Sequence, residues 1–234
     1  MSTEDRRAAR LLSRTALTPS VADYRLRVEE GAPFVWVPGQ YVELYAPSDP
    51  DEALPYSIAS APDPELPNEF ELAVGPGSAG DPLAELPAGS PLLLAGPYGQ
   101  LLWPPTGDSA LMIGVGTGVA PLRALVQATL RERKAHHLVL LCGFRTDSDI
   151  LWQREFEALE RATARLRYAV TLTQPSPEWR GMRGRVQEHA LELAVGLAEP
   201  AVFLCGSVAM VQDCQRLLEE GAGVPADKIF AEGY

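Results

Sequence analysis

Ile113-Gly-Val-Gly-Thr-Gly-Val-Ala-Pro-Leu-Arg123 decides how the rest of the chain is read. An apolar run over 110–114 goes straight into alternating glycines and then into a helical stretch over 121–133. Glycines let backbone N–H groups approach an anion, and the start of a helix adds partial positive charge. A diphosphate is the natural ligand of such a turn. The plain alternative is a tight strand–helix turn that binds nothing. The spacing is GxGxxP rather than GxGxxG, so the ordinary dinucleotide fingerprint does not apply as written. Gly114, Gly116, Thr117, Gly118 and Pro121 are the candidate binding residues of this loop.

Downstream of the loop the same rhythm continues. Apolar strand-length runs at 138–142, 168–172 and 201–205 alternate with helical stretches at 153–164, 186–194 and 208–220, and 228–231 reads as a last short strand. Strands that are apolar throughout are buried on both faces, which predicts a parallel sheet covered by helices. Upstream the rhythm differs. The stretch 21–28 places Tyr24, Leu26 and Val28 on one face at period two, and short runs follow at 41–45, 56–59, 70–74 and 92–95. Turn chemistry such as Val37-Pro-Gly39 and Ala88-Gly-Ser-Pro91 separates them, which predicts a small closed or sandwiched antiparallel sheet. The boundary falls near 104–107, giving one domain over 1–104 and a second over 105–234. The linker is short, so the two halves are expected to pack together and leave a cleft.

Composition narrows the function. The chain has 234 residues, 46% of them apolar, enough for a full core without staples. With 20 basic and 31 acidic residues the net charge is −11, which argues against a nucleic-acid footprint and against charge-driven binding to anionic membrane. The three cysteines, Cys142, Cys205 and Cys214, show no CxxC spacing, so they predict neither a disulfide framework nor a four-cysteine metal or iron–sulfur site within the chain. The first residues form no apolar signal core, and the most apolar stretch, 111–125, is broken by three glycines and a proline. These features predict a soluble protein of a reducing compartment, the cytoplasm, with no membrane insertion.

Four more stretches carry chemistry. Pro38-Gly-Gln-Tyr-Val42 and Leu54-Pro-Tyr-Ser-Ile-Ala-Ser60 place an aromatic beside a hydroxyl, a pair able to stack on a flat ring and hydrogen-bond its edge. Gly96-Pro-Tyr-Gly-Gln-Leu101 ends the first half. Leu204-Cys-Gly-Ser-Val-Ala-Met210 is a strand end opening into a helix, where ligands of parallel sheets lie; Cys205 reads equally well as a small core residue. At Ile229-Phe-Ala-Glu-Gly-Tyr234 the last aromatic is either inert or held by something flat. The basic stretch Trp179-Arg-Gly-Met-Arg-Gly-Arg185 is a solvated loop or a nucleotide contact. His136, His137 and His189 read as surface residues without partners, and Glu155, Glu157, Glu160, Glu65, Glu69 and Glu71 as solvent-facing.

In this order the motifs resemble the ferredoxin–NAD(P)H reductase superfamily, over about residues 24–234. The resemblance implies a six-stranded antiparallel flavin-binding β-barrel followed by an α/β parallel-sheet nucleotide-binding domain. It implies FAD, or FMN, in the cleft and NADH or NADPH as electron donor. Hydride would pass from nicotinamide C4 to flavin N5, and electrons would leave to a separate acceptor: a ferredoxin, an oxygenase component or free flavin. Carried over by position, Tyr56 would stack on the isoalloxazine, and Ser57 would hydrogen-bond near N5. Leu54 and Pro55 stand beside them, and Gly77, Ser78, Ala79 and Gly80 form the flavin-phosphate loop. The stretch from Gly114 to Pro121 would hold the dinucleotide pyrophosphate, with Thr173 and Gln174 following the third strand. Cys205 and Gly206 would line the nicotinamide site, with Met210 among the cofactor contacts. Glu232 would assist proton movement, and Tyr234 would cover the far face of the flavin. Ser57, Cys205, Glu232 and Tyr234 are thus the expected catalytic set.

Two departures bear on affinity. The family carries arginine where this chain has Leu54, and serine or threonine where it has Gly80. Loss of a charged hydrogen bond weakens binding roughly ten- to hundredfold. The stretch Thr171-Leu-Thr-Gln-Pro175 lacks the arginine that NADP users commonly place there, which favours NADH, although Arg145, Arg180, Arg183 and Arg185 lie near enough in sequence to substitute. The alternative function is a non-catalytic nucleotide-binding or electron-relay subunit of a larger redox complex. Leu54 and Gly80 favour it; Ser57, Cys205, Glu232 and Tyr234 speak against it.

Overall fold

The computed structural model describes residues 6–29, 31–46, 49–75, 83–104, 108–132 and 135–234. The first half forms β1 (Arg7–Ala16), β2 (Ala22–Val28), β3 (Tyr41–Ala46), β4 (Asp49–Ser57), β5 (Glu69–Val74) and β6 (Pro91–Tyr98). They pair antiparallel in the order β4-β3-β6-β1-β2-β5. An isolated antiparallel bridge between Ile58 and Leu72 joins the two outer strands, so the sheet closes into a barrel. Its interior follows the period-two reading. Tyr24, Leu26 and Val28 are buried and meet Leu11, Phe70, Leu72 and Leu94, while Phe34, Trp36 and Phe70 pack ring against ring.

Strand β1 has no counterpart in the sequence reading, for a physical reason. Ala9 and Leu11 face inward, but a bulge between Leu11 and Ser13 breaks the alternation, and three arginines stand among them. Two of these make identifiable contacts. Arg10 pairs with Glu29 on the outer surface, and the Arg14 Nε donates to the Tyr24 hydroxyl at 2.9 Å.

The second half forms β7 (Ser109–Val115), α1 (Val119–Glu132), β8 (His137–Phe144), α2 (Gln153–Ala162), β9 (Leu166–Leu172), β10 (Met182–Arg183), α3 (Gln187–Ala194), β11 (Ala201–Gly206), α4 (Val208–Ala222) and β12 (Ile229–Gly233). All pairings are parallel, in the order β10-β9-β8-β7-β11-β12. The chain runs outward from β7 to one side, then returns to β11 on the other. The strand order therefore reverses between β7 and β11, and a crevice opens there at the carboxyl ends of the strands. Ser207 caps α4 by accepting from the Met210 amide at 3.4 Å, and the helix ends at Gly223 in a left-handed conformation, φ 66°.

An ionic cluster ties the halves together. Arg123, on α1, donates to Glu71 of β5 at 2.6 Å, to the Ala59 carbonyl at 3.0 Å and to Glu155 of α2 at 2.8 Å. Arg25 reaches the other oxygen of Glu71 at 3.0 Å, and the Arg123 guanidinium lies 4.9 Å from the ring centroid of Trp152. Burial opposes the charge on Glu71, but Arg123 and Arg25 outweigh it and hold the carboxyl below its ordinary range. Glu71 and Glu155 are thus structural partners rather than the solvent-facing residues expected from sequence. Sequence periodicity reports exposure within one domain and is blind to what the other domain supplies. Asp23, beside this cluster, keeps its Oδ1 buried without a hydrogen-bond partner among the described residues. Burial, reinforced by the charge of Glu71, pushes its carboxyl up to about 7. His189 is also more than a surface residue: its Nε2 lies 2.9 Å from the Arg183 carbonyl and 3.2 Å from the Thr171 hydroxyl.

Among the described residues no helix is long and apolar enough to cross a membrane, and no group of His, Cys, Asp and Glu is arranged to hold a metal ion.

Candidate active site

The glycine loop sits at the topological reversal. After β7 the chain makes one tight turn, Gly116–Gly118, before α1 begins at Val119. Two glycines here do different jobs. A Cβ on Gly118 would stand 2.3 Å from the Cys205 carbonyl oxygen, so this glycine lets the turn pack on β11. Gly116 has φ +54° and nothing within 4 Å of the place a Cβ would take, so it faces open space. That space is a cavity of about 440 Å³ lined by Val115, Gly116, Arg145, Thr173, Arg185, Ser207 and Met210, with Thr18 and Val21 contributed by the first domain. Gln174 lies beside it and accepts from the Arg145 Nε at 3.0 Å. Gly114 and Pro121 are buried behind the turn and support it.

A second cavity of about 630 Å³ lies between the barrel and the same turn. Tyr41, Pro55, Tyr56 and Ser57 line it from the barrel, and Thr117, Glu232 and Tyr234 from the second domain. Tyr56 and Ser57 reach it because β4 ends here, where Tyr41 of β3 pairs with Ser57. Leu54 is half-buried opposite Leu44 on the same pair of strands. Gly77, Ser78, Ala79 and Gly80 lie outside the described residues.

Strand β12 delivers Glu232 and Tyr234. Its parallel pairing with β11 sets Glu232 opposite Cys205 and Gly233 opposite Gly206, and the Tyr234 amide donates to the Gly206 carbonyl at 3.0 Å. The Tyr234 hydroxyl lies 3.0 Å from the Thr117 Oγ1. The residue is 63% exposed through its ring, whereas its hydroxyl end is enclosed, and that enclosure pushes the phenol up to about 12. Glu232 keeps Oε2 buried without a hydrogen-bond partner, and burial raises its carboxyl above the ordinary range. Cys205 is fully buried in the sheet core beside Phe203 and Cys142, and burial, with the Glu232 charge adding to it, pushes the thiol well up. Its side chain packs as a small apolar group; its carbonyl, against Gly118, is the part that borders the turn.

Residues 112–216 match the family model of the oxidoreductase NAD-binding domain. The chain is 38% identical to ferredoxin–NADP reductase B of Sorangium cellulosum over 237 aligned positions, which cover 97% of this chain and 96% of that protein. It belongs to the ferredoxin–NAD(P)H reductase family. The fold agrees: a ferredoxin reductase of carbazole 1,9a-dioxygenase superposes with a TM-score of 0.82 at 26% identity, over 97% of this chain and 69% of that one. A Neisseria gonorrhoeae ferredoxin NADP+ reductase with bound FAD and NADP shares the fold at 22% identity and a TM-score of 0.79, over 98% of each chain.

FAD and a nicotinamide dinucleotide are the cofactors of this reductase family, and the residues can be tested against them. The larger cavity fits a flavin ring: tyrosines form its walls, and Ser57 and the unpartnered Glu232 oxygen supply polar edges. The phosphate end is less well provided. Between Arg27 and Arg123 the sequence has no lysine or arginine at all, so no side-chain cation from that stretch can meet a flavin phosphate. Sequence reasoning missed Tyr41 as a wall of this cavity, although it lies inside the PGQYV motif. It also missed Val21, which borders both cavities from a turn with no signature of its own.

Proposed function

We propose that this reductase takes reducing equivalents from a nicotinamide dinucleotide seated on the Gly116–Gly118 turn, and that a flavin ring held between the barrel and Tyr234 relays them to a separate acceptor. Bound flavin accepts a hydride and releases electrons singly or in pairs. The observation that carries the reading is that one short turn borders both cavities, with Gly116 in the smaller and Thr117 in the larger. Two reactants held on opposite sides of one turn meet in a fixed geometry, which converts a bimolecular encounter into an oriented one.

The chain's own residues have distinct parts in this proposal. The open backbone at Gly116 and the start of α1 receive the pyrophosphate. Tyr56 and Tyr41 support one side of the ring and Tyr234 the other. Ser57 donates to a ring-edge atom. Glu232, buried and neutral over part of the physiological range, holds a proton at Oε2 beside the reacting centre. Cys205 shapes the floor under the nicotinamide by its bulk and backbone, since burial keeps its thiol protonated. Arg145 and Arg185 border the dinucleotide cavity, so they are the partners for a 2′-phosphate, and the site accepts NADPH as well as NADH. The domain boundary falls at 104–105, and the three buried thiols without a disulfide suit a reducing compartment such as the cytoplasm.

The absence of cations between Arg27 and Arg123 favours a second reading of the flavin, as an exchangeable substrate rather than a resident group. One experiment separates the two. The protein is purified without added flavin, its visible spectrum recorded, and NADH or NADPH added anaerobically. A yellow protein that bleaches establishes a resident flavin and names the donor by rate. A colourless protein that turns over added FAD, FMN or riboflavin establishes a flavin reductase. Silence with all three refutes both readings and leaves the non-catalytic subunit.

A further inference from the structure

Thr117 stands in the wall between the two cavities. Its neighbour Gly116 faces the smaller one, and its own side chain faces the larger. Its methyl group is directed toward Gly75 of the barrel, where an added Cβ would lie 3.5 Å from Thr117 Cγ2. The methyl contact fixes the rotamer and leaves the hydroxyl aimed at the Tyr234 phenol, 3.0 Å away. The Gly118 amide is a second group facing the same phenol oxygen. Tyr234 is otherwise held by one backbone bond, from its amide to the Gly206 carbonyl. Its ring is thus pinned, at its far end, by the same turn that receives the pyrophosphate in the proposed function.

We propose that Thr117 is a positioning residue that clasps Tyr234 over the flavin cavity, and that a diphosphate docking on the Gly116–Gly118 turn undoes the clasp. The inference rests on reading the two cavities as dinucleotide and flavin-ring sites. Its chemistry is a competition for donors. A threonine hydroxyl has one proton to give, and a backbone amide has one. A phosphate oxygen is a charged acceptor and draws such donors about twice as strongly as a neutral oxygen does. Once they turn to phosphate, the phenol loses both partners, and the ring keeps its place by one fewer hydrogen bond, a shift of roughly two- to tenfold in the docked-to-undocked ratio. Binding at the pyrophosphate end thereby loosens the ring before a nicotinamide has to push it aside.

The test separates the two ends of the dinucleotide. The full chain, loaded with FAD, is labelled with 3-fluorotyrosine, and the Tyr234 resonance is assigned by its disappearance in Tyr234→Phe. ADP-ribose carries the diphosphate without nicotinamide; nicotinamide mononucleotide carries the reverse. Calorimetry on the same samples reports whether each binds. ADP-ribose is expected to move the Tyr234 signal to the position it already has in Thr117→Val, and to leave it there in that variant. Thr117→Ser restores the wild-type position and response. As a kinetic check, Thr117→Val and Tyr234→Phe should each raise kcat/KM for reduced nicotinamide mononucleotide two- to tenfold relative to NADH, and the double variant no further. Binding of ADP-ribose without a shift of Tyr234 overturns the clasp alone. No binding of ADP-ribose overturns the dinucleotide-site reading, and the clasp's trigger with it.

Discussion

Glu232 is the residue whose environment demands most of it. One carboxylate oxygen is buried without a partner, and burial raises the carboxyl above its ordinary range. A carboxyl whose value is higher in the folded state than in the unfolded chain lowers stability as pH rises between those two values. Glu232→Gln should therefore raise the melting temperature at neutral pH, while turnover with the dinucleotide falls by about a hundredfold and loses its dependence on that ionisation; calorimetry and pH–rate profiles read both. At the other cavity, Gly116→Glu should abolish reduction by NADH. It sets a carboxylate in the open cleft and forces a non-glycine residue to φ +54° at roughly 1–2 kcal/mol. Unchanged hydride transfer would remove the site assignment. Arg185→Ala should lower kcat/KM for NADPH about tenfold more than for NADH, and equal losses would release Arg185 from the 2′-phosphate role. Tyr56 and Ser57 were legible in sequence because an aromatic–hydroxyl pair at a strand end has few other uses. The contact between Thr117 and Tyr234 was not, because over a hundred residues separate partners that β12 brings together.

Elements were legible to the extent that each carries its own periodicity. The parallel strands β7, β8 and β11 are apolar throughout, and the sequence reading finds them within a residue or two. Strand β1 escaped because its bulge shifts the alternating pattern partway along. Strand β2 conceals something else: its buried face includes Asp23, whose carboxyl stands near 7 against an ordinary value of 3.8. Protons are then bound more tightly in the folded protein, so stability falls as pH rises across that window, by at most about 1.4 kcal/mol per pH unit. Asp23→Asn should flatten this part of the stability curve and raise the melting temperature at pH 8. An unaltered slope in denaturant titrations between pH 4 and 7 would show that another group carries it.

At the scale of the molecule, Arg123 joins two folding units that share few other charged contacts in its neighbourhood. It sits 9% exposed between Glu71 and Glu155, one from each domain. Removing one member of a buried ionic cluster strands the others, at about 3–5 kcal/mol. Arg123→Met should lower the melting temperature and split the calorimetric endotherm into two, with Glu71 left unpaired toward the barrel. A single undiminished transition would mean that the apolar contacts around Leu17, Val21 and Ala120 suffice. The two-domain plan was readable from rhythm alone, while this junction was not, since a salt bridge across domains leaves no local pattern.

The guanidinium that makes the junction also lies over the Trp152 ring. An indole fluoresces according to what touches it, and flavins absorb in the region where indoles emit. Trp152 is consequently a native optical gauge: its emission should report separation of the two domains, and its quenching should follow loading of the neighbouring cleft, without any attached dye.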